Sequence, residues 1–170
     1  TDQAIAEDWV AGSRNFCSKL FNATRFALLN GAVVPDGGEL AEGVDLTAAD
    51  RWVLGRLDEV VGRTTELLGD FQFSKSADGL YHFAWGEFCD WYLELAKVQI
   101  SEGGQRAETT RQVLGVVLDR VLKLLHPYIP FVTETLWTSL TGGESLLVSQ
   151  WPTVSGREAD PAAVQWMSDL

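Results

Sequence analysis

The sequence predicts an all-α protein, a helical bundle of four to five helices with a short extended C-terminal strap. Apolar residues recur at steps of three and four through most of the 170 residues, which is the spacing of a buried helical face. Glycine and proline fall between these patterned stretches, and a chain with 46% apolar residues can bury one substantial core. We therefore expect one domain over residues 1–152 and a linker towards another domain over residues 153–170.

The first two predicted helices have recognisable ends. One apolar stripe runs through residues 4–30, and Gly31 is a typical residue to end such a helix. An acidic connector follows, beginning at Pro35, and Thr47 with Asp50 forms an approximate capping box for the second helix. Gly69 closes the second pattern. The expected buried positions of these two helices are Phe16, Leu20, Ala23, Ala27, Val53, Leu57, Val60, Thr64 and Leu67.

The remaining helices are predicted from the same periodicity. A third helix is expected over residues 74–100, ending at Gly103, and a fourth must end before Pro127. Pro130 suits the first turn of a short fifth helix that reaches about Leu140. The segment SLLVSQWP then predicts a brief strand or an extended strap. The expected core positions are Leu80, Ala84, Phe88, Trp91, Leu95 and Val98 on the third helix, widened by Trp85 and Tyr92, and Leu114, Val117, Val121 and Leu125 on the fourth.

Charge is distributed unevenly along the chain. The net charge of −11 argues against a nucleic-acid partner, because phosphate binding relies on Lys and Arg. However, residues 9–30 carry three basic side chains and no acidic one, whereas residues 35–50 carry five acidic side chains and no basic one. One locally positive face on the first helix is therefore compatible with the reading of a few unpaired bases.

Five residues of the first helix make up a candidate RNA-binding set. The guanidinium of Arg25 and the ring of Phe26 can stack on bases, the amide of Asn22 can bond a base edge, and Lys19 can meet a phosphate. Taken from the residues alone, this set is better explained by a core phenylalanine beside a solvated polar face. The candidates are Arg14, Lys19, Asn22, Arg25 and Phe26.

The sequence offers no candidate catalytic or metal site. Glu87, Asp90 and Glu94 form an acidic line on one helix face, but no Glu stands three residues before a His, as a di-metal bundle requires. We expect Asp90 or Glu94 to pair instead with a cation of a neighbouring helix, Arg14 or Arg25.

Neither histidine is expected to be catalytic, and His126 is expected to bond the free carbonyls that end the fourth helix. Cys17 and Cys89 are widely separated, which predicts buried, reduced thiols rather than a metal or redox pair.

Three segments resemble a known family. They are residues 14–26 (RNFCSKLFNATRF), residues 86–97 (GEFCDWYLELAK) and residues 124–137 (LLHPYIPFVTETLW). In this order and spacing they resemble the anticodon-binding domain of valyl-tRNA synthetase, a class I aminoacyl-tRNA synthetase. The synthetases for isoleucine and leucine share the architecture and a variant of the HPYIPF turn, but as a rule they lack CDWYLEL.

The resemblance implies a function for the candidate set. In the family, the helix with this pattern faces the anticodon loop, so Asn22, Arg25 and Phe26 are expected to contact bases, Lys19 the backbone, and Arg14 the same loop. The partner implied is valine tRNA, with A and C as the middle and third anticodon bases, together with other domains of the same cytoplasmic synthetase. No DNA or membrane partner is implied.

Catalysis is expected to reside elsewhere in such an enzyme. The sequence contains neither HIGH-like nor KMSKS-like signatures, so we expect a fragment that is inactive alone and holds no cofactor, while the full enzyme uses ATP, valine and magnesium. Two alternatives stay open. The chain can be an acidic helical module that binds a protein through its seven tryptophans, or the equivalent domain of an isoleucyl- or leucyl-tRNA synthetase.

Overall fold

The computed structural model describes residues 2–155 and 160–170, with side chains described for residues 12–155 and 160–170. The helices are α1 (Asp2–Leu29), α2 (Ala48–Gly69), α3 (Phe73–Tyr81), a π-helical segment (His82–Tyr92), α4 (Leu93–Ser101), α5 (Gly104–Leu125), α6 (Pro130–Thr141) and α7 (Pro161–Ser168). Short 3₁₀ turns lie at Asp36–Gly38 and Leu146–Val148, and the described residues include no strand. The all-α prediction is therefore confirmed.

Helix α5 lies at the centre of the bundle. All of residues 113–122 are buried, and α2, α4 and α6 pack around this helix. Two buried polar residues of α5 are satisfied by neighbouring elements. The Asp119 carboxylate accepts a 2.8 Å hydrogen bond from Trp137 Nε1 of α6, and Arg120 pairs with Glu39 of the connector. The described helices include none that is long and apolar enough to cross a bilayer.

The predicted start of α2 is confirmed, and its capping group extends into a buried network. The Thr47 hydroxyl accepts from Asp50 N, and the Asp50 carboxylate accepts from Thr47 N, which completes a capping box. Asp50 is fully buried and also accepts hydrogen bonds from Tyr92 Oη at 2.7 Å and Gln99 Nε2 at 3.0 Å. Gln99 in turn donates to Thr110 of α5. One buried carboxylate thus links α2, α4 and α5.

The two tight helix ends differ in the residue that adopts the left-handed conformation. Helix α1 ends as predicted, with Gly31 at φ 80° and Ala32 N bonded to Ala27 O at 2.8 Å. Helix α2 ends with the same hydrogen-bond pattern, but here Phe71 has the positive φ, at 58°. A bulky side chain rarely adopts this conformation, because its Cβ crowds the backbone.

The predicted core face of the third helix is only partly correct. Leu80, Ala84, Phe88 and Tyr92 are buried as predicted, but Trp91 is 48% exposed and Val98 is 61% exposed, whereas Leu93, Ala96 and Gln99 are buried. The cause is the π-helical segment, in which backbone bonds reach five residues back, as in Leu93 N to Phe88 O. Its wider turn rotates all later residues relative to a regular helix, so the prediction for Trp91 and Val98 is wrong.

The C-terminal region folds along α2. Trp151 Nε1 donates to Thr65 Oγ1 at 3.0 Å, which fixes the expected strap against the second half of α2. Residues 153–170, expected to form a linker, include α7, whose Ala163 is buried and which packs on α2. Asp160 caps α7 and pairs with Arg51 of α2 at 2.6 Å, so this stretch is structured where it is described. The domain boundary at residues 152 and 153 stays a prediction.

Candidate nucleic-acid interface

Helix α1 holds the five candidate residues because one of its faces is built into the core. Its buried stripe consists of Phe16, Leu20, Ala23 and Ala27, as predicted, and packs against the π-helical segment, α5 and α6. The remaining faces of α1 are turned outward. Arg14, Asn22 and Arg25 are exposed there, and Lys19 and Phe26 are partly buried at the margin.

Asn22 and Arg25 are accessible to a ligand. They lie one helical turn apart on α1, and within the described residues neither side chain has a hydrogen-bond or ion-pair partner. The Asn22 amide can therefore donate to and accept from a base edge, and the Arg25 guanidinium is free to stack or to donate. This accessibility is the condition on which a base-reading role for α1 depends.

Phe26 is held beside a cation from another helix. Lys97 Nζ of α4 lies 5.4 Å from the centre of the Phe26 ring and donates to Glu94 of the same helix at 2.7 Å. The ammonium group faces the ring at a distance typical of a cation–π contact. Lys97 was not among the predicted site residues, although it ends the GEFCDWYLELAK segment. The contact joins two helices, and spacing along either helix could not reveal it.

Lys19 is already engaged within the protein. Its ammonium group contacts the Asp90 carboxylate of the π-helical segment and lies 4.1 Å from the centre of the Trp85 ring. Asp90 therefore does pair with a cation of the first helix, as expected, but the cation is Lys19 and not Arg14 or Arg25. Any role of Lys19 at a phosphate requires that the phosphate compete with Asp90.

The other carboxylates of the acidic line pair separately. Glu87 accepts two hydrogen bonds from Arg56 of α2, at 2.8 and 3.1 Å, and Glu94 pairs with Lys97 within α4. Of the two carboxylates expected to pair with another helix, Asp90 does so and Glu94 does not. The described residues contain no group of three or more His, Cys, Asp or Glu side chains arranged to hold a metal ion.

The two histidines take part in local contacts. His126 Nδ1 shares a 2.8 Å hydrogen bond with Thr133 Oγ1, so its ring joins the end of α5 to the start of α6 rather than bonding the carbonyls of α5. His82 is exposed and lies edge-on to Tyr81. Cys17 and Cys89 are free, as the sequence predicts, but they are only partly buried.

Comparison with known proteins identifies the family. A family model described as the anticodon-binding domain of tRNA ligase matches residues 50–170. Valine–tRNA ligase of Nocardia farcinica is 56% identical over 168 residues, covering 99% of this chain and 18% of that protein. The enzyme of Streptomyces coelicolor is 55% identical over 155 residues, covering 91% of this chain and 18% of its own length. That of Mycobacterium tuberculosis is 52% identical over 169 residues, covering 99% of this chain and 18% of its own length.

These matches bear differently on the candidate site. The chain spans less than a fifth of the length of these relatives. The match to the family model begins at Asp50 and so excludes α1, whereas the alignments to the Nocardia and Mycobacterium enzymes cover nearly the whole chain. The family model alone covers more than half of the chain. The chain therefore belongs to the family of anticodon-binding domains of tRNA ligases.

Proposed function

We propose that this chain is the anticodon-binding part of a valine–tRNA ligase and that it recognises the anticodon loop of valine tRNA. The observation that carries the proposal is the open strip on α1, where Asn22 and Arg25 are exposed and, among the described residues, without a protein partner. The choice of valine is supported by relatives more than 50% identical to this chain, which bear the name valine–tRNA ligase.

The strip reads the loop through three kinds of contact. Asn22 hydrogen-bonds a base edge, Arg25 stacks on or donates to a base, and the Phe26 ring supports an unstacked base, with A and C as the middle and third anticodon bases. Lys19 and Arg14 meet the phosphates between these bases. A domain that contacts a few unpaired bases needs a basic pI only if it also binds a long stretch of the RNA phosphate backbone. A chain of net charge −11 can therefore bind an anticodon loop.

The chemical step belongs to the rest of the ligase. The described residues offer no cluster able to hold a metal, and no glycine-rich loop of the sequence carries the lysine that a phosphate-binding loop requires. We therefore assign ATP, magnesium and valine to other domains of a cytoplasmic enzyme. The contribution of this chain is to select the tRNA and to help place its distant acceptor end.

The test is a titration of a labelled anticodon stem-loop of valine tRNA, compared with a stem-loop in which the middle base is replaced. Asn22→Ala should weaken binding of the cognate loop by about 1–3 kcal/mol and reduce discrimination between the two loops, since it removes a base contact and no charge. Lys19→Ala should weaken binding of both loops by the same factor. It should also reduce the magnitude of the slope of log K against log salt concentration by about 0.7, as expected for one lost phosphate contact.

The matched control is Arg63→Ala. Arg63 is an exposed arginine on α2 whose only ion-pair partner among the described residues is Glu66 of the same helix, so its loss should leave both affinities within twofold. Equal binding of the cognate and altered loops by the unmodified chain would refute the proposal.

A further inference from the structure

The four most exposed large apolar side chains of the described residues belong to segments that meet at one end of the bundle, whereas Leu29, Val98 and Leu170 are exposed elsewhere. Five side chains, which we call the apolar end, are 55% to 88% exposed: Phe71, Phe73, Phe131, Leu147 and Val148. They come from three separate segments: the turn between α2 and α3, the start of α6, and the 3₁₀ turn that follows α6. Single exposed apolar residues are ordinary, but a cluster assembled from several segments marks an interaction surface.

Hydrogen bonds hold these segments together. The hydroxyl of Ser76 in α3 and the hydroxyl of Tyr128, just before α6, form a hydrogen bond with each other. This bond joins the segment between α2 and α3 to the start of α6. Leu146 N donates to both carboxylate oxygens of Glu134, at 3.0 and 3.2 Å, which fixes the 3₁₀ turn one helical turn from Phe131. The rings of Phe71 and Phe73 lie 6.3 Å apart, edge to face. The apolar end is therefore a preformed surface.

Phe71 also occupies a position at which local structure favours another residue. Its backbone is left-handed, at φ 58°, where glycine is the usual choice at a helix end. The ring gains little from the fold itself, because it is 79% exposed. Apart from the contact with Phe73, the described residues thus give little reason for an aromatic residue at this position.

The apolar end surrounds the C-terminal end of α5, whereas the C-terminal end of α1 lies beside the N-terminal half of α5, where Arg111 Nε donates to Asn30 O at 2.8 Å. Exposed carboxylates flank the apolar end, at Asp70, Asp78 and Glu144, and of these segments only Lys75 contributes a nearby cation. This charge disfavours a phosphate backbone as the occupant.

We propose that the apolar end is the surface on which the remainder of the valine–tRNA ligase polypeptide packs. The relatives contain more than four-fifths of their length outside the part matched by this chain, so they supply a large protein body to cover it. Domain interfaces within one chain bury surfaces of this mixed apolar and polar kind. This inference rests on the proposed function but concerns a different surface, so the two can fail separately.

The experiment compares solvent exposure in the isolated chain and in a whole ligase. In Nocardia farcinica valine–tRNA ligase, the segment that matches this chain is replaced by the chain itself, as their 56% identity allows. Hydroxyl-radical labelling read by mass spectrometry then gives the oxidation rate of each side chain. We expect the rates at Phe71, Phe131 and Leu147 to fall at least threefold in the ligase, while that of Val164, exposed on α7, changes less than twofold.

Substitution supplies a second readout. The triple variant Phe71→Ser, Phe131→Ser, Leu147→Ser should leave the melting temperature and stem-loop affinity of the isolated chain unchanged, because all three side chains are exposed. In the chimeric ligase it should lower kcat/KM for valine tRNA at least tenfold, whereas Val164→Ser should not.

Three outcomes would overturn the inference. The first is equal labelling in the isolated chain and in the ligase. The second is protection that appears in the isolated chain as its concentration rises, which would assign the surface to a second copy. The third is protection that requires added tRNA. Loss of stem-loop recognition with intact protection would instead remove the proposed function and leave a docking surface.

Discussion

Among single residues, Lys19 is the candidate whose charge is balanced before any ligand arrives. Its contact with Asp90 is partly open to water, with side-chain exposures of 28% and 47%, so the pair stabilises the fold by less than about 1 kcal/mol. The same carboxylate must repel an approaching phosphate. We therefore expect Asp90 to influence RNA binding more than folding.

We predict that Asp90→Asn changes the free energy of unfolding by less than about 1 kcal/mol and raises the affinity for the valine stem-loop about twofold to fivefold. The reason is that a phosphate no longer competes with Asp90 for Lys19 and one negative charge is lost beside the strip. Urea unfolding and fluorescence anisotropy measure the two quantities.

The control for this prediction removes the same charge elsewhere. Glu66→Gln breaks the pair with Arg63 on α2, far from Lys19, and should leave RNA affinity nearly unchanged. A similar gain from Glu66→Gln, or a loss of affinity in Asp90→Asn, would contradict the role assigned to Asp90.

For single residues, the sequence predicted which side chains are exposed better than it predicted which residues they contact. Arg14, Asn22 and Arg25 are exposed on α1 because helical periodicity separates an apolar stripe from the other faces. The partners of Lys19 and Phe26 come from a different helix, and their identity depends on how two helices cross. Neither crossing nor register can be obtained from spacing within one helix.

At the scale of elements, local chemistry predicted helix ends and failed where a helix departs from regular geometry. The capping box at Thr47 and the left-handed Gly31 are local signals, and both are present. The π-helical segment has no comparable signal, so a regular period carried past Phe88 misplaced Trp91 and Val98. Helix α7 was also missed, although Asp160 and Pro161 are a typical start, because eight residues are too few to show a period.

The packing of α5 against the connector depends on a glycine. A methyl group on Gly115 would lie 1.8 Å from the Val33 carbonyl oxygen, which a real contact never allows. We predict that Gly115→Ala destabilises the chain by more than about 2 kcal/mol, because the connector must move away from α5. Urea unfolding followed by tryptophan fluorescence measures this change.

Gly55 provides the matched comparison within α2. A methyl group there meets no atom within 4 Å, so Gly55→Ala should stabilise the chain by about 0.5–1 kcal/mol through lower backbone entropy in the unfolded state. If both substitutions had the same sign, the close approach of Val33 to α5 would be disproved.

In the whole molecule, buried ionisable groups make stability sensitive to alkaline pH. Burial, and then the charge and hydrogen bond of Asp50, raise the pKa of Tyr92 well above 10.0. Burial raises the pKa of Cys89 to about 12, from 9.0. Both groups release their protons more easily in the unfolded chain. Their contribution to the free energy of unfolding is therefore complete below pH 9. The contribution of the thiol is lost as the pH rises above 9, and that of the phenol as the pH rises above 10.

We predict that Tyr92→Phe lowers the free energy of unfolding at pH 7 by about 2 kcal/mol, because Asp50 loses a buried charged hydrogen bond. Above pH 10 the free energy of unfolding of the variant should fall less steeply with pH than that of the unmodified chain. The part of this fall that is due to Cys89 should remain. Urea unfolding at a series of pH values measures both effects. Tyr81→Phe, at an exposed ring, should leave the stability at pH 7 unchanged, and a slope in Tyr92→Phe identical to that of the unmodified chain would rule out the assignment.

The central helix also sets a length. The 22 residues of α5 correspond to about 33 Å along its axis, and its enclosed middle cannot bend or shorten without opening the core. A nucleotide loop bound beside α1 and a protein domain bound at the C-terminal end of α5 would therefore be held at a constant separation. Inserting a single residue into α5 would rotate one terminus against the other by about 100° and spoil that alignment, even with every contacting side chain intact.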